Sequence, residues 1–102
     1  MSRVCRITSR ALQDIEAIAD YRAANSSLDN AEKFLNGIDS ILMRTAQFPQ
    51  IGRKRDELYP GSRSLAYEQY LIFYRLVDEN IEILRIVSGY QDLPALFEEP
   101  DN

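Results

Sequence analysis

Apolar positions follow two different periods along this 102-residue chain, and the change falls at Gly52. Arg3 to Ile7 reads as a short strand in which Val4, Cys5 and Ile7 are apolar. Thr8 and Ser9 then offer hydroxyls that can cap a helix. From Arg10 to Ala24 the residues Leu12, Ile15, Ile18, Ala19 and Arg22 recur at helical spacing, which turns Asp14, Glu16 and Asp20 away. Asn25-Ser26-Ser27 interrupts that pattern and supplies the cap of a second helix. There Ala31, Phe34, Leu35, Ile38, Ile41, Leu42 and Thr45 keep the i, i+3, i+4, i+7 rule without a break. Pro49 ends the helix, and Gly52 completes a turn. Two helices joined by so short a link are expected to pack antiparallel as a hairpin.

Beyond Gly52 the pattern alternates. Arg63, Leu65 and Tyr67 alternate with Ser64, Ala66 and Glu68 as a two-faced strand. Tyr70 to Val77 is apolar on both faces, as a central strand requires. Asp78-Glu79-Asn80 is a polar turn before a further strand, Ile81 to Val87, with Ile81, Ile83, Arg85 and Val87 assigned to one face. These three strands read as a meander. Asp92 can cap a last short helix, Leu93 to Phe97, which tolerates Pro94 in its first turn. The fold class is α+β in the order β-α-α-β-β-β-(α), a helical hairpin packed on a small, mainly antiparallel sheet. No linker, repeat or low-complexity stretch divides it, so residues 1–102 read as a single domain.

Composition narrows the chemistry more than the fold. The sequence contains no histidine, which excludes Ser-His-Asp and Cys-His catalysis and the usual zinc sites. Any acid–base step would need a group with a strongly shifted pKa. The lone cysteine, Cys5, cannot form an internal disulfide and fits a reducing compartment as a buried thiol. No run of about 18 apolar residues exists for a membrane span, and the opening residues are too polar for a secretory signal, so a cytoplasmic protein without membrane contact is expected. The net charge of −4 argues against a dedicated nucleic-acid binder. Charge is unevenly spread: Arg44, Arg53, Lys54, Arg55 and Arg63 face only Asp56 and Glu57 in their stretch, whereas the tail from Asp92 is acidic.

Four groups of residues are candidates for function. The segment Gly52-Arg53-Lys54-Arg55 reads either as a solvated loop or as a site for phosphate or an acidic partner surface. Arg75 and Arg85 lie in apolar strands and must be paired or reach solvent. Glu68, Glu82 and the acidic tail are the expected partners, and contact with an anion or a partner protein on an exposed sheet face is the functional alternative. Tyr67, Tyr70 and Tyr74 suit sheet packing, with base stacking as the other reading. Ser88-Gly89-Tyr90-Gln91-Asp92 reads as a turn after the last strand. Neither a nucleophile–base pair nor a cofactor motif is found, and no cofactor is expected.

Several segments, in order, resemble the ParE branch of the ParE/RelE toxin superfamily. Ala11 to Tyr21 follows that family's A-x-x-D-(I/L)-x-x-I-x-x-Y pattern, and Ala31 with Phe34 follows its A-x-x-F. Phe48-Pro49-Gln50-Ile51-Gly52-Arg53 resembles its P-x-x-G-R. It is followed by Arg55-Asp56-Glu57-Leu58, Gly61-Ser62-Arg63, Tyr70 to Arg75, Ile83 to Ile86 and Asp92 to Phe97. The resemblance covers nearly the whole chain, and the family's fold has the element order read above.

The resemblance implies the toxin half of a type II toxin–antitoxin pair, neutralised by a cognate antitoxin, ParD-like or another DNA-binding type, which would link the toxin to DNA only indirectly. ParE-like members typically poison DNA gyrase by protein–protein contact, and the expected target-binding residues are then Arg53, Lys54, Arg55, Arg63 and Arg85. RelE-like members instead cleave messenger RNA on the ribosome. Under that alternative Arg53, Lys54 and Arg85 with Tyr90, or with Tyr67, would be the catalytic groups. Many relatives carry His-Gly-x-Arg-Asp after the last strand, where this chain has Ser88-Gly89-Tyr90-Gln91-Asp92. That departure raises a third reading, an inactive toxin that retains antitoxin binding.

Overall fold

The computed structural model describes residues 4–89 and 93–98, with the expected Asp92 cap and Arg3 outside them. Strand β1 (Cys5–Ile7) leads into helix α1 (Ser9–Asn25) and helix α2 (Leu28–Gln47). Strands β2 (Arg53–Lys54), β3 (Ser62–Tyr67), β4 (Tyr70–Val77) and β5 (Asn80–Ser88) follow, then helix α3 (Leu93–Glu98). The sheet order is β1-β5-β4-β3-β2, with β1 parallel to β5 and the other pairs antiparallel. The α+β class, the helical hairpin and the central place of β4 agree with the sequence. Arg53–Lys54 differs: it is a two-residue edge strand paired with Ser64 and Arg63, not a loop. Among the described residues no helix is long and apolar enough to cross a membrane.

Both long helices start where hydroxyls cap them. The Thr8 side chain accepts from Ala11 N–H at 3.2 Å, and Ser27 accepts from Asn30 N–H at 3.0 Å, each satisfying an amide that has no partner within its helix. Ala31, Phe34, Ile38, Leu42 and Thr45 form the buried stripe of α2. Thr45 meets its polar need within the helix by donating to the Ile41 carbonyl at 2.6 Å. Against this stripe pack Ile72 and Tyr74 of β4 and Ile81, Ile83 and Ile86 of β5. Helix α1 contributes Ala11 and Ile15, while Leu12 is 47% exposed, one position away from the buried stripe.

Asp14 also departs from its expected position. It turns inward to β5, because the ladder of that strand outruns the three residues of β1. Beyond Ile83 the edge of β5 would be left with unpaired backbone groups, and a buried one is costly. Thr8 covers the first, its backbone N–H and its Oγ1 both donating to the Ile83 carbonyl, at 3.1 and 2.7 Å. Asp14 covers the next, its Oδ2 accepting from Ile86 N–H at 2.9 Å.

A bulge decides which residues of β5 face the helices. Phe73 pairs with Arg85 but Tyr74 pairs with Ile83, so Leu84 is an extra residue in the ladder. The insertion shifts the alternation by one. Ile86, not Val87, joins Ile81 and Ile83 in the cluster packed with the helices, although Val87 is also buried, and the single face expected for Ile81, Ile83, Arg85 and Val87 does not exist. Tight two-residue loops join β3 to β4 and β4 to β5, with Glu68 and Asp78 at φ 56° and 59° to follow the strand twist.

Candidate functional site

The turn between α2 and β2 is held from inside by two side chains of the sheet. Tyr74, buried on β4, donates its hydroxyl to the Pro49 carbonyl and accepts from Gly52 N–H, both at 2.8 Å. Burial pushes its phenol pKa up, even though the Gly52 amide and the nearby Arg63 charge pull the other way. Arg63 on β3 donates to the carbonyls of Gly52 at 2.8 Å and Gln50 at 3.2 Å. A Cβ on Gly52 would stand 2.6 Å from the Tyr74 hydroxyl and 3.0 Å from the Ser64 carbonyl, so only glycine fits. The turn from Pro49 to Gly52 is thus held rigid from the sheet, with a packing reason for the glycine at its end.

This fixed turn presents apolar side chains to solvent. Phe48 is 60% exposed and Ile51 40% exposed, and with Arg44, Gln47, Pro49 and Gln50 they line an open groove of about 650 Å³. Sequence reasoning passed over Phe48 and Ile51 as members of a motif. The available signal was that they stand outside the apolar period of α2 and yet flank its stop.

The five nominated arginines and lysines do not form one cluster. Arg53 and Lys54 are exposed and, among the described residues, make no ion pair or hydrogen bond through their side chains. The register puts Arg53 on the sheet face of Ser64 and Phe73, and Lys54 on that of Arg63 and Tyr74. Arg55 instead lies along the sheet, donating from Nε to Ser64 Oγ at 2.8 Å and standing 3.7 Å from Glu57. Arg63 is committed to the turn, as described above.

Arg85 is bound to Asp14 through two hydrogen bonds, Nε to Oδ2 at 2.8 Å and Nη2 to Oδ1 at 3.1 Å. Both side chains are only 14% exposed, and this partner differs from those expected from sequence. Arg53, Ser64, Phe73 and Arg85 lie in one cross-strand row. Three strand spacings therefore separate the first from the last, roughly 14 Å between backbones. Tyr90 and Gln91 lie outside the described residues. Gly89 N–H donates to the Gln69 carbonyl at 3.0 Å.

Several other charges are tied into the fold. Glu82, buried in the sheet, takes Arg75 at 2.9 Å on one oxygen and Arg6 on the other. Burial alone would raise its pKa, but hydrogen bonds from Arg75 and Arg6 and their charge outweigh it and hold the carboxyl below its usual value. Arg75 also lies 5.3 Å from the ring centre of Tyr59, which with Phe73 packs against Phe97 of α3. On the helix face Arg22 stacks on Phe34 and Tyr70 and pairs with Glu68. The tyrosines expected to pack the sheet do so: Tyr67 and Tyr70 lie 6.0 and 5.5 Å from the Phe34 ring, and Tyr74 is fully buried. Burial raises the Tyr67 pKa, with Glu68 adding to the shift. Cys5 is half-buried and its thiol pKa is raised by burial, the opposite of a reactive cysteine. Among the described residues no group of three or more Cys, Asp or Glu could hold a metal ion.

Comparison with known proteins is consistent in sequence and in structure. Residues 5–93 match the family model described as the ParE toxin of type II toxin-antitoxin system, parDE. The chain is 35% identical over 95 residues to Toxin ParE3 of Caulobacter vibrioides, covering 93% of this chain and 94% of that protein. It is 31% identical over 94 residues to Toxin ParE1 of Mycobacterium tuberculosis, covering 91% and 96%. Among solved structures it is similar to a chain of the chromosomal ParDE TA system from P. aeruginosa. The TM-score there is 0.73 at 26% identity, over 85% of this chain and 96% of the other. The toxin-antitoxin complex RelBE2 from Mycobacterium tuberculosis shares the fold, with a TM-score of 0.64 at 18% identity over 86% and 99%.

Proposed function

The chain belongs to the ParE toxin family of type II toxin–antitoxin systems, and from that premise we propose that it inhibits DNA gyrase by protein–protein contact. A cognate antitoxin neutralises it. The observation that carries this reading is the distribution of the cations. Arg53 and Lys54 project from an edge strand, ready to meet a surface, while Arg55, Arg63 and Arg85 are bound to their own fold.

The same distribution weighs against ribonuclease action. Cleavage of RNA needs a base at the 2′-hydroxyl and cations at the same phosphate, all within hydrogen-bond reach. Arg53 and Arg85 lie roughly 14 Å apart along the sheet, and Arg85 is engaged by Asp14. Tyr67 packs against α2, with a pKa shifted away from the range of a useful base.

The test is a purified-gyrase assay with supercoiling and cleaved DNA as readouts. Wild-type protein should make cleaved DNA accumulate, and the antitoxin should reverse it. Arg53→Glu with Lys54→Glu should weaken the effect about tenfold, as expected for charged residues at the contact. No effect of the wild-type protein in excess over gyrase would refute the reading.

A further inference from the structure

The sheet has a second buried face, on the side away from α1 and α2. Phe73 and Val87 are buried there, outside the cluster packed with those helices, because alternation along β4 turns Phe73 away from Ile72 and Tyr74. Phe97 of α3 closes over Phe73, with ring centres 5.3 Å apart, and meets Tyr59 at 5.7 Å. Cations surround this aromatic cluster. The ladder sets Arg6, Glu82 and Arg75 in one row on the same face, and Arg53 in the next row with Ser64 and Phe73. Arg6 and Arg75 share the single carboxylate of Glu82, which leaves positive charge in excess, and Arg53 is exposed.

Helix α3 is poorly suited to stand by itself. Its six residues are too few for a helix to persist in water without tertiary contacts. It has no acid in its first turn, no base in its last, and it ends on Glu98, so its charge opposes the helix dipole. Docking on the sheet therefore supplies its stability, which places it among the elements that open first. The segment also matches the face it covers. An aromatic anchor is followed in the chain by Glu98, Glu99 and Asp101, and no basic residue occurs after Arg85.

We propose that the sheet face around Phe73 is where this toxin meets its target, and that α3 with its acidic end occupies that face in the free protein as a displaceable stand-in. The target then offers the chemistry that α3 imitates: a bulky apolar anchor flanked by carboxylates. The anchor replaces Phe97 against Phe73 and Tyr59, and the carboxylates meet Arg53 and the excess charge at Arg6 and Arg75. A nucleic acid fits less well, since the occupant seen on this face is a peptide and Glu82 would repel phosphate in the middle of the cationic row. The inference rests on the target being a protein, as proposed above, but not on gyrase as that protein.

The test compares wild type with two variants of the full chain. Phe97→Ala removes the anchor, and the triple change Glu98→Gln, Glu99→Gln, Asp101→Asn removes charge while keeping it. Amide exchange over residues 93–98 reports release of α3, and thermal melts report whether the rest of the fold is intact. Potency is read twice, as gyrase inhibition and as growth arrest on expression without antitoxin. A face covered for about nine-tenths of the time gains roughly tenfold in apparent affinity when it is freed. Phe97→Ala should therefore act at about a tenth of the wild-type concentration, and the triple variant should gain about threefold. Arg53→Glu added to Phe97→Ala should reverse most of that gain. Potency equal to or below wild type in both variants would overturn the proposal, assigning α3 to the fold or to the contact itself. A wild-type dimer that Phe97→Ala dissociates without a gain in potency would assign the face to a second copy and overturn it too. Graded growth arrest in the expected order, with gyrase untouched by all variants, would refute the gyrase reading and leave this one standing. No growth arrest by any variant would overturn it, because nothing would be held back by α3.

Discussion

Replacing Asp14 by alanine removes three hydrogen bonds at one point: two from the Arg85 guanidinium and one from the Ile86 backbone amide. Hydrogen bonds to a charged group contribute about 1.5–3 kcal/mol each, and a buried amide left without a partner costs about 1–3 kcal/mol. Breaking a fully buried ion pair by removing one member costs about 3–5 kcal/mol. Here both side chains keep 14% of their exposure, so water can reach the orphaned guanidinium and the lower end applies. We expect Asp14→Ala to cost about 3 kcal/mol. In urea, with an m-value of about 1.3 kcal/mol/M for a chain of this size, the midpoint should fall by about 2 M. Asp14→Asn retains an acceptor for Ile86 and should cost about half as much. In the double mutant with Arg85→Met the unpaired charge is gone, so the coupling energy from the cycle should be about 1.5 kcal/mol. A loss below about 0.5 kcal/mol for Asp14→Ala, the value of an exposed surface pair, would refute the claim that this carboxylate covers the edge of β5.

Three further outcomes follow from the same reasoning. Tyr74→Phe should cost about 1–2 kcal/mol by orphaning Gly52 N–H and the Pro49 carbonyl, and amide exchange at Gly52 should accelerate while that of the β4–β5 ladder stays slow. Glu82 has a folded pKa below its unfolded value, so its contribution is present above about pH 4.3 and is lost as pH falls through the folded pKa. The stability gap between wild type and Glu82→Gln should therefore be open at pH 7 and begin to narrow as pH falls below about 4.3; a gap that stays constant down to the acid unfolding of the protein would contradict it. Gly37→Ala should destabilise by about 1–3 kcal/mol, because a Cβ there meets the Tyr67 hydroxyl at 1.7 Å and its ring carbon at 2.5 Å. Tyr67→Leu in the same background should recover part of that loss in a thermal melt.

Helices α1 and α2, their caps at Thr8 and Ser27, the stop at Pro49 and the central strand Tyr70–Val77 were legible in the sequence, because each depends on residues within a few positions. A helix exposes its period and a buried strand its unbroken apolar run, whatever the rest of the chain does. The family could be read there too, since its segments keep their order. What was not legible depended on distant neighbours. Asp14 looks like a solvent-facing acid on its own helix, and only the short β1 beside the longer β5 gives its carboxylate an amide and a guanidinium to bind. The bulge at Leu84 moves Ile86 into the core, and alternation read from sequence assumes a register without insertions.

The candidate site divides in the same way. Its charge came from the sequence, with Arg53, Lys54, Arg55, Arg63 and Arg85 all nominated. The sequence cannot say which cations are committed, because Ser64, the Gln50 and Gly52 carbonyls and Asp14 reach them only through the folded sheet. The tertiary structure alone left Arg53 and Lys54 exposed and set Phe48 and Ile51 in solvent on a rigid turn. Periodicity and composition are local properties of a chain, whereas the pairing of a charge and the exposure of an apolar side chain depend on what folding brings next to them.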